Sequence, residues 1–107
     1  MEGFWTVHFT GVQGWGDGVV TLIAGQVYGG DGGYLYTGTY AGDQNQLNAK
    51  LHIRQYAPGY QSVMGRSEFD LALTGTRNGD QIAVKGSIPG TPLAFQGSMT
   101  KRGNLPH

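Results

Sequence analysis

The chain has no cysteine, which excludes disulfide bonds and thiolate chemistry and fits a reducing compartment. Charge is scarce as well. Charged residues make up 13% of the 107 positions, and seven bases balance seven acids. The electrostatic footprint of phosphate-backbone binding is therefore missing, and no direct contact with nucleic acid is expected. The pair Lys101-Arg102 reads as a solvated strand end. No run approaches the roughly 18 apolar residues of a membrane helix, and no basic start followed by an apolar stretch opens the chain. A soluble cytoplasmic protein with no membrane contact is the expectation. A period of 3.6 residues never persists long enough to make a helix.

Glycine is what the chain has in quantity, 20 residues against four prolines, a composition of many tight turns. Six tyrosines, four phenylalanines and two tryptophans within a hydrophobic content of 38% suffice to close one core. A chain of this length makes one domain, burying roughly 65% of its unfolded surface.

The apolar residues alternate. Trp5, Val7 and Phe9 share one face of a first strand over residues 3–10, with Phe4, Thr6 and His8 on the other. A turn over residues 11–16 leads to a strand over 18–23, and Ala24-Gly25 breaks to a short strand over 26–28. Four glycines around Asp31 make a turn, after which Tyr34, Tyr36, Gly38 and Tyr40 share one face. Leu47, Ala49, Leu51 and Ile53 then face one way, and Asn48, Lys50, His52 and Arg54 the other. Residues 57–66 form the longest irregular connection, suited to a helical turn or mobile lid. Phe69, Leu71 and Leu73 precede Asn78-Gly79, a hairpin signal because both residue types accept positive φ. Ile82, Val84 and Ile88 follow, then the turn 89–92, then Leu93, Phe95, Gly97 and Met99.

About eight short strands joined by turns must hide their edges, and closure removes edges altogether. The expected fold is all-β, an eight-stranded antiparallel up-and-down β-barrel, favoured over a sandwich. It spans residues 1–101, with a loose tail over 102–107. Gly38, Gly86 and Gly97 lie inside strands, where glycine relieves crowding in a small barrel.

Groupings that carry chemistry are not found. His8, His52 and His107 have no metal-ligand spacing. Glu68 and Asp70 share a strand face with no cleft beside them, so solvation explains them. Ser62, Ser67, Ser87 and Ser98 lack the Gly-x-Ser-x-Gly elbow. The run Gly29-Gly30-Asp31-Gly32-Gly33 has no following lysine and enters a strand, which fails the requirements of a phosphate loop. Asp31 is expected to bond backbone amides within its turn. No catalytic residue, cofactor or metal is expected.

Gly3-Phe4-Trp5 is similar to the Gly-x-Trp opening of lipocalins, a calycin-like barrel. That resemblance implies an indole closing the barrel floor, with Lys101 or Arg102 packed against it. If the barrel has a lumen, Trp5, Leu51, Ile53, Phe69, Leu71, Val84 and Phe95 line or fill it, and in so short a chain filling is favoured.

Several segments together resemble the GrlR family, lipocalin-like barrels named for a negative regulator of type III secretion genes. These are Met1-Glu2-Gly3-Phe4-Trp5 with Val7 and Phe9, then Gly16-Asp17-Gly18-Val19-Val20, then Gly25 to Asp31 and Tyr36 to Tyr40, and the strand end His52-Ile53-Arg54-Gln55-Tyr56. The resemblance implies a homodimer and a regulator of transcription that sequesters an activator, of the helix-turn-helix kind, through an acidic surface turn. The corresponding turn here reads Gly42-Asp43-Gln44-Asn45-Gln46, with one carboxylate. Partner contact is expected at Asp43, Gln44, Asn45 and Gln46. Large groups on wet faces, such as Phe4, Leu35 and Tyr56, also point to a dimer. A protein-binding regulator is thus the first expectation and a small carrier of an apolar molecule the second, with an enzyme unsupported.

Overall fold

The computed structural model describes residues 1–11, 14–43, 45–57 and 67–106, with Gly14 and Trp15 described by backbone alone. It is all-β. The strands are β1 (Gly3–Gly11), β2 (Gly14–Ile23), β3 (Gln26–Gly30), β4 (Tyr34–Gly42), β5 (Gln46–Gln55), β6 (Glu68–Asn78), β7 (Gln81–Ser87) and β8 (Ala94–Gly103). Each pairs antiparallel with the next, and β8 returns to β1, so an eight-stranded up-and-down barrel closes with no free edge. None of the described residues is helical.

The strand edges differ from expectation in two places. β2 begins at Gly14, because the ladder with β1 continues through Phe9↔Gly16 to Gly11↔Gly14. β8 runs on to Gly103, which pairs with Phe4, so the tail expected from residue 102 starts beyond Gly103. The helical turn or lid expected over residues 57–66 lies, past Ala57, outside the described residues, as do Gln44 and the middle of the turn at 11–16.

Side chains alternate between lumen and solvent along every strand. Rows of inward residues follow the register around the barrel, as in Tyr40↔Ala49↔Leu73↔Gly86↔Phe95. A small residue sits beside a bulky one in such rows. A Cβ at Gly86 would stand 2.5 Å from the Phe95 ring, so the glycine makes the space that the phenyl occupies.

The two barrel ends differ. Both chain termini lie at the end where β2 and β3, β4 and β5, and β6 and β7 connect. Trp5 closes that end, wholly buried, its indole Nε1 donating to the Met1 carbonyl at 3.0 Å. The Arg77 guanidinium lies over the ring, 5.7 Å from its centroid, a cation–π distance. Arg77 is thus a basic partner of the indole that sequence reading missed, and Lys101, paired with Trp5 in the β1–β8 ladder, shares its inward phase. Arg102 instead donates from Nε to the Thr6 hydroxyl at 2.9 Å, because it falls on the outward phase of β8. Arg77 continues the inward alternation of Phe69, Leu71, Leu73 and Gly75.

Two hairpins show where backbone conformation decides the sequence. Between Asn78 and Gln81, which pair, only Gly79 has positive φ, at 64°. Asn78 is the last strand residue, so the left-handed requirement that the Asn-Gly motif implied for both falls on the glycine alone, as in a II′ loop. Ala24-Gly25 is the reverse case. Both residues have positive φ, 51° and 80°, the I′ pattern that asparagine and glycine satisfy and alanine resists by about 1–2 kcal/mol. Replacing Ala24→Asn should therefore stabilise the barrel by about 1 kcal/mol, raising the melting temperature by roughly 4–8 °C. An unchanged or lowered melting temperature in a calorimetric scan would contradict this account of the turn.

Candidate functional site

The lumen holds a cavity of about 320 Å³. Leu51, Ile53, Phe69, Leu71, Val84 and Phe95 line it as the sequence indicates, whereas Trp5 forms the floor and is not part of the wall. The lumen is therefore not filled. Inward positions on β2, β4, β6, β7 and β8 are held by Gly18, Gly38, Gly75, Gly86 and Gly97, and no side chain from them reaches the axis.

The wall carries a hydrogen-bonded carboxylate at the end away from Trp5. Asp31, in the turn between β3 and β4, accepts at Oδ1 from the backbone amides of Gly33 (2.8 Å) and Tyr34 (2.9 Å), as expected for that turn. Its Oδ2 accepts from the Tyr36 hydroxyl, a link that sequence reading missed. Alternation places Tyr36 inward but does not say which way the ring lies. Gly18 settles it, because a Cβ there would come within 2.9 Å of the Tyr36 ring and 3.0 Å of its oxygen. Without one, the ring lies against the β2 wall and its hydroxyl reaches the turn. Burial, then the bond to Asp31, then that carboxylate's charge raise the Tyr36 pKa far above the ordinary phenol range. The phenol thus stays protonated and donating at any working pH. The turn is braced from β5, since the Tyr56 amide and hydroxyl donate to the carbonyls of Gly33 (2.9 Å) and Asp31 (2.8 Å).

The partner-contact turn lies at the opposite end. Asp43 accepts at Oδ1 from the amides of Asn45 (2.7 Å) and Gln46 (2.9 Å), and these bonds hold its carboxyl below the usual range. The Asn45 carbonyl accepts from the Arg77 amide at 2.6 Å. Asp43, Asn45 and Gln46 are exposed and close together, but Asp43 already spends one carboxylate oxygen in organising the turn. Gln44 lies outside the described residues.

The outer surface divides into two faces. Every exposed large hydrophobic side chain among the described residues, namely Phe4, Val19, Ile23, Tyr28, Leu35 and Tyr56, lies on β1 to β4 or just after β5. Register sets them in rows with one strand between. Phe4 pairs with Thr21 and Thr21 with Tyr28, while Val19 pairs with Gly30 and Gly30 with Leu35. Across β5 the surface turns polar. His52 Nδ1 is 2.8 Å from Asp70 Oδ1 and its Nε2 is 2.7 Å from Glu68 Oε2. These carboxylates clamp the imidazole, a link that the long connection between β5 and β6 hid because it leaves the register undetermined. Among the described residues no group of three or more His, Asp or Glu is placed to hold a metal. No family model and no curated protein matches the chain.

The bonds to Asp70, and then to Glu68, raise the His52 pKa. A raised folded-state value contributes stability that is fully present below the unfolded pKa of about 6.5 and is lost as pH rises through the folded value. Melting curves of wild type and His52→Gln should accordingly converge as pH increases from 5.5 to 9, with wild type more stable at the acid end. A constant offset across that range would dismiss the clamp as an electrostatic contributor.

Proposed function

We propose that the protein is a non-enzymatic binding protein whose lumen carries a small apolar ligand. The observation that carries this reading is the cavity of about 320 Å³, walled mainly by aliphatic and aromatic side chains, with the Asp31 carboxylate at its end away from Trp5. Ligand pockets have this character, and their sizes run upward from roughly 300 Å³. An apolar void left empty forfeits the dispersion contacts of its lining. Gly18, Gly75 and Gly86 give their room to inward neighbours, since a Cβ at each would meet Tyr36, Ile82 or Phe95 within 3.0 Å, and an occupant of the cavity left beside them would restore the lost contacts.

A second reading, a regulator that acts through a protein partner, draws support from the outer apolar face on β1 to β4. Exposed apolar side chains gathered on one side of a barrel mark a candidate interaction surface. Because a closed barrel offers no strand edge, association must use side chains of a face, and a second copy of this chain is the partner that needs no other gene product. The GrlR-like form of the regulator, capture of a helix-turn-helix activator at Asp43, Gln44, Asn45 and Gln46, rests on the resemblance alone.

Two measurements separate these readings. An uncharged solvatochromic dye such as Nile red should bind one site per barrel, and Leu51→Trp, which inserts an indole into the lumen from a half-buried wall position, should weaken it at least tenfold while the circular dichroism is unchanged. Equal binding by the variant places the dye outside the lumen and ends the carrier reading. For the outer face, light scattering at micromolar concentration should return a dimer mass that the double variant Tyr28→Lys, Leu35→Lys reduces to monomer. A wild-type monomer would leave the face without the partner proposed here.

A further inference from the structure

The charges of the lumen wall identify the class of ligand. Among the described residues that line the cavity, Asp31 is the one carboxylate that an inward side chain meets, through the Tyr36 hydroxyl. Asp17 also borders it, but its carboxylate turns outward to His8 Nδ1 at 2.7 Å. Among the described residues no lysine, arginine or histidine lines the cavity. Lys50, Arg54 and Lys85 point outward from β5 and β7. Arg77 lies over the Trp5 indole at the closed end, away from the Asp31 locus.

The Asp31 carboxylate has three described donors, the Gly33 and Tyr34 amides and the Tyr36 hydroxyl. No ion pair to it is present among the described residues. A carboxylate offers about four lone-pair sites, so one acceptor direction remains, and the Tyr36 oxygen keeps its own acceptor capacity after donating its proton. Both atoms can receive an N–H. Neither can compensate an anion, and in a cavity of low dielectric an uncompensated like charge is strongly unfavourable.

We propose that the lumen takes an apolar amine, its chain among the aliphatic wall residues and its ammonium at Asp31 and Tyr36, and that it rejects carboxylates of the same chain length. This rests on the carrier reading above. The cavity of about 320 Å³ equals the space of about ten liquid waters at roughly 30 Å³ each, and a decyl chain is a suitable probe. Selection by head group then follows from the wall and not from the chain.

The test is displacement of bound Nile red by decylamine, decanol and decanoate at pH 7.5, below their aggregation limits and at fixed ionic strength. Decylamine should compete at least tenfold more strongly than decanoate, with decanol between them. In Asp31→Asn, whose side-chain oxygen can still accept from the Gly33 and Tyr34 amides, amine and carboxylate should compete within twofold of one another and decanol should be unaffected. Displacement by all three at similar concentrations in the wild type would overturn the amine assignment and leave the carrier reading standing, and a preference for decanoate would do the same. If Nile red binds and none of the three displaces it, or if the dye does not bind, both readings fall. The wild-type ordering decides the proposal even if Asp31→Asn fails to fold.

Discussion

Eight strands closed on themselves enclose an axis so narrow that inward side chains from opposite walls compete for the same volume. That competition governs the rest of this structure. Closure requires the β1–β8 ladder, and the ladder forms only if the interior accommodates what each strand sends inward. The chain meets this condition by placing glycine on the inward phase of β2, β4, β6, β7 and β8, next to the residues that most need room. Gly86 faces the Phe95 ring, Gly75 faces the methyl groups of Ile82 and Val84, and Gly18 receives the edge of Tyr36. The room these glycines leave is taken by their neighbours, and the cavity lies among those inward side chains. A barrel built with larger residues at these positions would need different neighbours, and one without closure would expose a strand edge open to pairing with other chains.

The fold was legible in the sequence because period-two alternation survives in nearly every strand, and because turns such as Ala24-Gly25 and residues 89–92 are marked by residue type. What alternation conveys is the face of each residue. It fixed the inward positions of Leu51, Ile53, Phe69, Leu71, Val84 and Phe95, and the structure places all six on the cavity wall. It gives no information about which inward residues meet across a seam or how a ring lies. The Tyr36 to Asp31 link depends on both, since the tyrosine must lie along the wall that Gly18 vacates. The same limit explains Arg77. Its inward phase was visible, but the choice of cation for the Trp5 ring depends on the register of β6 against β1 around the closed end. The His52 clamp was hidden for a related reason, because a long connection does not set the β5–β6 register as a two-residue turn would.

Open or filled lumen was the point at which sequence reasoning erred, and the error has a physical source. Counting inward apolar residues suggests a full core for a chain of this length, since Leu, Ile, Phe and Tyr appear in ample number. The count omits direction. Tyr36 lies against the wall rather than across the axis, and Trp5 is drawn to the end by its bond to Met1 and its contact with Arg77. Two of the largest side chains therefore leave the centre.

The wall formed by β2, β3 and β4 carries both surfaces of interest, one on each side of a single sheet layer. Gly18 and Tyr36 belong to its inner side, while Val19, Tyr28 and Leu35 belong to its outer side. Asp31 and its turn join the strands β3 and β4 at the open end, and Tyr56 holds that turn from the adjoining strand. Tyr56 is itself one of the exposed hydrophobic groups of the outer face. One residue thus touches both the turn that positions the lumen carboxylate and the surface available to a partner. The ladder restrains each strand on both sides, and the bonds from Tyr56 to Gly33 and Asp31, with those that Asp31 accepts inside the turn, hold the carboxylate in place where the ladder ends.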